Sequence, residues 1–438
     1  MAASSGLRRI VVFKPRDEQT FKDAWLKRSI EPVRQAFELE IGESRVTIDP
    51  SSSPIPLFEF IESAEATGGL DQGVLQRRRK LHIWGYAVAM TFANQDEIER
   101  FQHDRAKEIG GVFSDPQIRS CGGYTCPGQV SVGTYQEVIT KLNIRGSTGK
   151  GVWIAVVDSG INGVFLGPNR SPLQGSIDMA GSAKIPHCDP KYVPGSGDIH
   201  GSETAFDCLL GAPDAKFLDC KLWDETGAAP STKTYLSNAL AIFAHLTQQR
   251  DADPTPLVVN NGWDIALRDD SPVGSPDNYC ANPNHPFFIA TGTLVTAGAD
   301  VLFAAGNCGA DCAAPNCDAA ETGPGKSISG ANSHPSVMTV AAATVKGVRL
   351  GYSSQGPGVL AANKPDFAAY SHFKSINETH NGTSAAVAVA AGVVAALRQE
   401  MPGVSPAELK AKLQRCSGST SSSFNYNEGF GIIYPARA

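Results

Sequence analysis

From Ala385 to Leu397 every side chain is apolar or glycine, and this run opens behind Asn381-Gly382-Thr383-Ser384. A helix that is apolar all round has no face to give to water, so it must lie inside a protein core or a membrane. The run falls short of the roughly 18 residues that a membrane span needs, and its alanine and glycine content suits close packing by other elements. The chain has 438 residues, 42% of them hydrophobic, which is enough to build one large core around such a helix. What the pattern leaves to be explained is a single hydroxyl, Ser384, at the mouth of a helix that is otherwise apolar.

The segments before it show what surrounds the helix. "GVWIAVVD" (151–158), "PLVVNN" (256–261), "ADVLFAAG" (299–306) and "SVMTVAAA" (336–343) are nearly unbroken apolar runs, as expected of strands buried on both faces. Helical stretches at 201–210, 231–250 and 384–400 lie between or after them. This alternation predicts an α/β fold with a parallel sheet covered by helices on both faces.

The first third reads differently. Strands are expected at 9–14, 44–49, 81–92 and 111–118, with an amphipathic helix over 17–37 that Pro32 divides. A second helix over 94–110 is capped by Asn94. Residues 50–57, "PSSSPIPL", read as loop. The order βαββαβ predicts a small α+β, ferredoxin-like domain. The expected division is residues 1–120, a linker at 121–135 and a second domain at 136–438; "CSGSTSSS" (416–423) reads as surface loop.

Four residues stand where an open parallel sheet gathers its chemistry, at strand ends and helix starts. Asp158 ends an apolar strand, His200 opens a helix, Asn307 follows "VLFAAG", and Ser384 heads the apolar helix. Singly they read as caps and turn formers. Together they form a set: a serine at a helix start has its own N–H aimed where an oxyanion would sit, and Asn307 offers a second donor. His200 is placed to take the serine proton, with Asp158 holding the imidazole in the right tautomer.

On these residues the chain resembles the subtilisin-like serine protease family. "IAVVDSGI" (154–161), "HGS" (200–202), "AAGN" (304–307) and "GTSAA" (382–386) occur in the family's order, supported by "YSSQGP" (352–357) and "KPDFAA" (364–369). The resemblance covers roughly residues 130–438 and implies a serine endopeptidase acting on protein or peptide substrates. It assigns Asp158, His200 and Ser384 to catalysis, Asn307 to the oxyanion hole, and Ala304, Ala305 and Gly306 to substrate binding. The N-terminal domain is similar to the family's propeptide, through "RRIVVFKP", "YAVAMTFANQDEIERF" and "GGVFSDPQI". That implies an inhibitor carried in the same chain, with autocleavage within 119–135.

Several positions depart from the family pattern. Ser202-Glu203 follows His200-Gly201 in place of Thr-His, Ala385 stands where the family has Met, and Ala388 where it has Pro. None removes a catalytic group. The family's substrate-pairing strand aligns with Gly262-Trp263-Asp264, and its backbone is expected to pair with an extended substrate. Asp264 stands where the family usually has glycine. It either turns outward into water or gives the first specificity pocket a preference for a basic residue at P1.

Net charge is −6, with no basic excess, so neither nucleic acid nor an anionic membrane is an expected partner. The chain has ten cysteines, three of them crowded at 308, 312 and 317. Their spacing matches no common zinc pattern, so disulfides or free thiols are expected there. No cofactor is required by the chemistry. Calcium is a structural ion the resemblance allows, without ligands assignable in the sequence. "IVVF" near the N-terminus is too short for a secretory signal, which predicts a cytoplasmic protein for the sequence as it stands and an extracellular one if it was trimmed. The sequons at Asn377 and Asn381 read as chance matches. The expected function is a self-inhibited serine endopeptidase. The alternatives are a catalytically silent or permanently self-inhibited peptide-binding protein and an intracellular processing protease dedicated to one partner.

Overall fold

The computed structural model describes residues 6–14, 18–36, 46–48, 52–64, 77–120, 132–162, 173–178, 200–223, 234–265, 271–375, 379–418 and 423–434. Most of the expected linker, Cys121, Cys126, Cys188, Asn377 and the centre of the 416–423 patch lie outside them.

The N-terminal unit contains β1 (Leu7–Phe13), α1 (Glu18–Leu26), α2 (Glu31–Ala36), β2 (Val46–Ile48), β3 (Ile55–Ala64), β4 (Arg77–Phe92), α3 (Gln95–Asp104) and β5 (Ile109–Ser114). Its sheet runs β2-β4-β1-β5, with β3 also on β4, and every pairing is antiparallel. The break between α1 and α2 falls just before Pro32, as expected. Asn94 caps α3 by accepting from the Glu97 N–H at 3.0 Å. Two expectations fail here. The end of the predicted 50–57 loop is the start of β3, whose apolar Ile55, Leu57 and Phe58 pack on the second unit. The helix predicted to reach 110 stops at Asp104, because Ile109 and Gly111 are taken into the ladder with β1, with Gly110 bulged between them.

A short strand, β6 (Ile118–Ser120), precedes β7 (Gly133–Thr134) and α4 (Tyr135–Leu142). The second unit follows with β8 (Trp153–Asp158), β9 (Leu173–Asp178), α5 (His200–Leu209), β10 (Lys216–Lys221), α6 (Leu236–Ala252), β11 (Leu257–Asn261), β12 (Trp263–Ile265), α7 (Pro286–Thr296), β13 (Asp300–Ala304), β14 (Met338–Ala343) and β15 (Phe367–Tyr370). The chain continues through β16 (Phe373–Lys374), β17 (Thr379–His380), α8 (Gly382–Glu400) and α9 (Pro406–Cys416). Among the described residues seven strands form one parallel sheet in the order β15-β14-β13-β11-β8-β10-β9. The apolar runs therefore occupy the middle of the sheet, where both faces are covered.

Helix α8 packs against β14, β11, β13 and β15 on one side and α5 on another. By length and hydropathy it qualifies as a bilayer span, but 94% of its most apolar window is buried inside the protein. Its one buried cation near the C-terminal end, Arg398, pairs with Asp300 at the start of β13, at 2.8 Å from Nη2.

The other face of the sheet carries α6 and α7, and the N-terminal unit docks on them. Ile10, Val12, Trp25, Leu57 and Phe58 join the same apolar cluster as Leu240, Phe243, Phe287 and Phe288. Polar groups fix the docking angle. The Asp115 carboxylate accepts from Ser237 N–H and Oγ at the start of α6, at 2.8 and 2.9 Å, so the N-terminal unit supplies the cap that α6 lacks in its own segment. His285 accepts the Phe287 N–H at Nδ1, which leaves Nε2 to donate to the Ser114 carbonyl at 2.9 Å. His245 lies against the Trp25 ring, with centroids 4.2 Å apart.

Burial holds both imidazoles neutral and lowers each pKa from 6.5 to about 4; at His245 the Arg28 charge adds to the effect. A ring with a depressed folded pKa favours the folded state while neutral, so that contribution is lost as pH falls from about 6.5 towards 4. Asp115, pushed up by its own burial, works in the opposite direction, so the histidine effect is read as a difference. We expect the thermal midpoint to drop more steeply over that window in the wild-type chain than in His245→Gln/His285→Asn. Parallel pH profiles would remove the histidines from the account.

Candidate active site

Asp158 is the last residue of β8 and is fully buried. Its Oδ1 accepts from the Ser159 N–H and from His200 Nδ1, each at 2.7 Å. Nδ1 donates in this bond, which places the lone pair of the neutral imidazole on the opposite ring nitrogen. His200 is the first residue of α5. The helix start is brought this close by a glycine pair: a Cβ built on Gly201 would lie 2.3 Å from the Gly160 carbonyl oxygen, so no larger residue fits between them. The Gly201 N–H donates to Ser159 Oγ at 3.0 Å and closes the turn.

Ser384 is the third residue of α8 rather than its cap. The cap position is Asn381, whose carbonyl is 3.5 Å from Ser384 Oγ. The helix start is tied to the strand ends around it. Gly382 N–H donates to Tyr352 Oη at 2.9 Å. Thr383 N–H and Oγ1 both donate to Asn307 Oδ1, at 2.9 and 3.0 Å, and Thr383 Oγ1 accepts from Gly306 N–H at 3.1 Å. With its carbonyl oxygen so engaged by Thr383, the Asn307 amide is held in one orientation.

Gly262 shows how close the three predicted catalytic residues lie. A Cβ built there would sit 3.2 Å from Asp158 Oδ2, 3.2 Å from Ser384 Cβ and 3.5 Å from His200 Cε1. Three residues that lie 42 to 226 positions apart along the chain thus meet within one side chain's reach of a single glycine. A second imidazole stands edge-on to His200: the ring of His380, with centroids 5.7 Å apart, which is itself held by Asp207 at 2.5 Å.

The expected substrate strand is β12, and it is already paired. β6 lies antiparallel on it, with Ser120 opposite Trp263, Arg119 opposite Asp264 and Ile118 opposite Ile265. The Trp263 side chain is buried among Phe287 and Phe303, so this residue offers the cleft its backbone alone. Asp264 turns inward: its Oδ1 is 2.5 Å from Arg119 Nε and its Oδ2 3.3 Å from Nη2. Ala304 and Ala305 are buried under the cleft, and Gly306 lies close to Asp264, since a Cβ on it would be 3.0 Å from Oδ2.

Arg119 and Glu321 are functional candidates that sequence reasoning passed over. Glu321 accepts from Arg119 Nη1 at 2.9 Å. Arg119 stood at the edge of the expected cleavage region and Asp264 across the alignment from a glycine, but no local pattern joined them to Glu321. Burial opposes the Arg119 charge, yet Asp264 and Glu321 outweigh it and hold its pKa above the ordinary value. Burial raises the Glu321 carboxyl despite the same arginine. Cys308 is disulfide-bonded to Cys317, and Cys312 is disulfide-bonded as well. Among the described residues no group of three or more His, Cys, Asp or Glu is arranged to hold a metal, so the calcium allowed by the resemblance is assigned no ligands.

Comparison with known proteins matches the sequence model of the subtilase family to residues 149–431. The chain is 24% identical over 323 residues to mycosin-1 of Mycolicibacterium smegmatis, covering 67% of this chain and 69% of that protein. It is 25% identical over 289 residues to subtilisin Savinase of Lederbergia lenta, covering 65% of this chain and 90% of that one. Among solved structures it is similar in fold to fervidolysin from Fervidobacterium pennivorans, with TM-score 0.59 and 14% identity. That similarity covers 100% of this chain, which spans 61% of fervidolysin.

The tight Gly160–Gly201 approach makes a direct prediction. Gly201→Ala should destabilise the chain by roughly 1–3 kcal/mol, the usual cost of overpacking a filled site. Denaturant unfolding reads it; an unchanged midpoint would mean that the α5 start shifts freely.

Proposed function

The chain belongs to the subtilase family of serine endopeptidases, and from that premise we propose that Ser384, His200 and Asp158 form its catalytic triad and that residues 1–120 hold it inhibited. The observation that carries the reading is the convergence of all three residues on Gly262. In the proposed reaction Ser384 Oγ attacks the scissile carbonyl carbon while His200 Nε2 takes its proton. Asp158 Oδ1 keeps the Nδ1 proton in place and balances the imidazolium. The oxyanion of the tetrahedral intermediate accepts from Asn307 Nδ2 and the Ser384 N–H. His200 then protonates the leaving amine, an acyl-enzyme remains, and water enters by the reverse sequence. No metal takes part in these steps.

β6 supports the inhibitory role, because it occupies the edge of β12 that an extended substrate would use. The same contact favours a self-inhibited state over an open one. Release of the N-terminal unit by cleavage within 119–135 would free that edge. The inward turn of Asp264 supports a preference for basic side chains on the acyl side of the scissile bond.

Intact mass over time tests the reading. The wild-type chain should shed its N-terminal unit and Ser384→Ala should stay whole. On a peptide substrate Ser384→Ala should lose on the order of 10⁶ in kcat, and Asn307→Ala about 10²–10³, the scales set by subtilisin itself. Equal processing of wild type and Ser384→Ala would show that Ser384 is not the nucleophile.

A further inference from the structure

The contacts around Arg119 are more selective than attraction to one acid. Nε and Nη2 take the two oxygens of Asp264, Nη1 donates to Glu321 Oε2 at 2.9 Å and to the Asn316 carbonyl at 3.0 Å, and Nη2 meets Cys308 Sγ at 3.3 Å. The acceptors therefore lie round the rim of a planar guanidinium. A lysine carries its charge at one point on a longer apolar stem and has no fork to span them.

The far wall of this pocket is built to stay in place. Cys308 follows Asn307 directly, and its disulfide to Cys317 closes the loop that presents the Asn316 carbonyl. Just past that loop Asp318 Oδ1 accepts from the N–H groups of Ala320 and Glu321, at 2.7 and 3.2 Å, which fixes the turn that carries Glu321. Gly323 N–H donates back to the Cys308 carbonyl at 2.9 Å. Lys326 lines the same cavity, so with Arg119 withdrawn two carboxylates face one cation among the described residues.

Strand direction says which side of the scissile bond this pocket reads. β6 runs from Ile118 to Ser120 while β12 runs the opposite way, so β6 proceeds from Asp264 towards the Gly262 end, where Ser384 and His200 lie. A substrate bound like β6 presents its arginine N-terminal to the bond attacked.

We infer that Glu321 and Asp264 together form a pocket that selects arginine on the acyl side of the scissile bond, and that Arg119 is its built-in occupant. This rests on the protease reading of Ser384. Inhibitor and substrate then compete through the same guanidinium contacts, and Glu321 sets the choice of arginine over lysine.

The test uses the full chain carrying Arg119→Ala, with and without Glu321→Gln. Internally quenched peptides differing only in Arg, Lys or norleucine at a position scanned along the acyl side read selectivity, and a fluorophosphonate probe on the same samples reads reaction of Ser384. Arginine should exceed lysine by roughly ten- to hundredfold in kcat/KM, the worth of one or two charge-assisted hydrogen bonds, and Glu321→Gln should remove most of that ratio. A labelled chain that cleaves the arginine and lysine peptides equally, or a Glu321→Gln change that lowers all peptides in proportion, overturns the inference. A folded chain that neither labels nor cleaves overturns the protease reading instead. In that event the pocket is still read by calorimetry on Arg119→Ala/Ser384→Ala: preferential binding of the arginine peptide sustains it, and equal or absent binding rejects it.

Discussion

A helix sealed inside a core cannot leave its first amides to water, so the groups that receive them organise everything nearby. In α8 the Gly382 N–H goes to Tyr352 and the Thr383 N–H to Asn307. The second bond matters most, because it ties the end of β13 to the start of the helix and turns the Asn307 amide in a single sense. Thr383 repeats the tie through its hydroxyl, to Asn307 and to Gly306. Apolar burial of the helix and orientation of its polar mouth are one constraint seen from two ends.

The sheet converts that constraint into a site. Parallel strands end on one side, so Asp158 from β8, Gly262 after β11 and Asn307 after β13 are neighbours though distant in sequence. The Asp158–His200 bond works only because α5 starts against the Ser159-Gly160 turn, and there the absence of a side chain at Gly201 decides the distance. The N-terminal unit then uses the second face of the fold. It buries apolar residues on α6 and α7, caps α6 with Asp115, and sends β6 along β12. Docking on one side of the molecule and occupation of the cleft are therefore mechanically joined through the few residues between Asp115 and Ser120.

Much of this was legible in the chain itself. The unbroken apolar runs identified β8, β11, β13 and β14 because strands buried on both faces leave no alternation to confuse the reading. Asn94 and the break at Pro32 were legible because caps and prolines act locally. The strand β3 was missed because Pro54 and Pro56 read as loop, while its order comes from a ten-residue ladder with β4 and from burial on the second unit. β10, β15 and α7 were passed over for a related reason: their short or mixed patterns gain meaning only from the neighbours they pack against.

The sequence by itself determined the chemistry on offer: one hydroxyl, one imidazole, one carboxylate and one amide at element ends, around a helix that had to be buried. Residue type and local pattern suffice for that, since caps, turns and apolar periodicity are short-range properties. Tertiary structure alone decided which groups meet. It turned Asp264 inward, brought Glu321 from the turn after the Cys308–Cys317 loop to the same guanidinium, and put that guanidinium on Arg119 of the chain's own β6. Charges that sit 145 and 202 positions from Arg119 have no signature in spacing, because their partnership depends on how the N-terminal unit docks on the second.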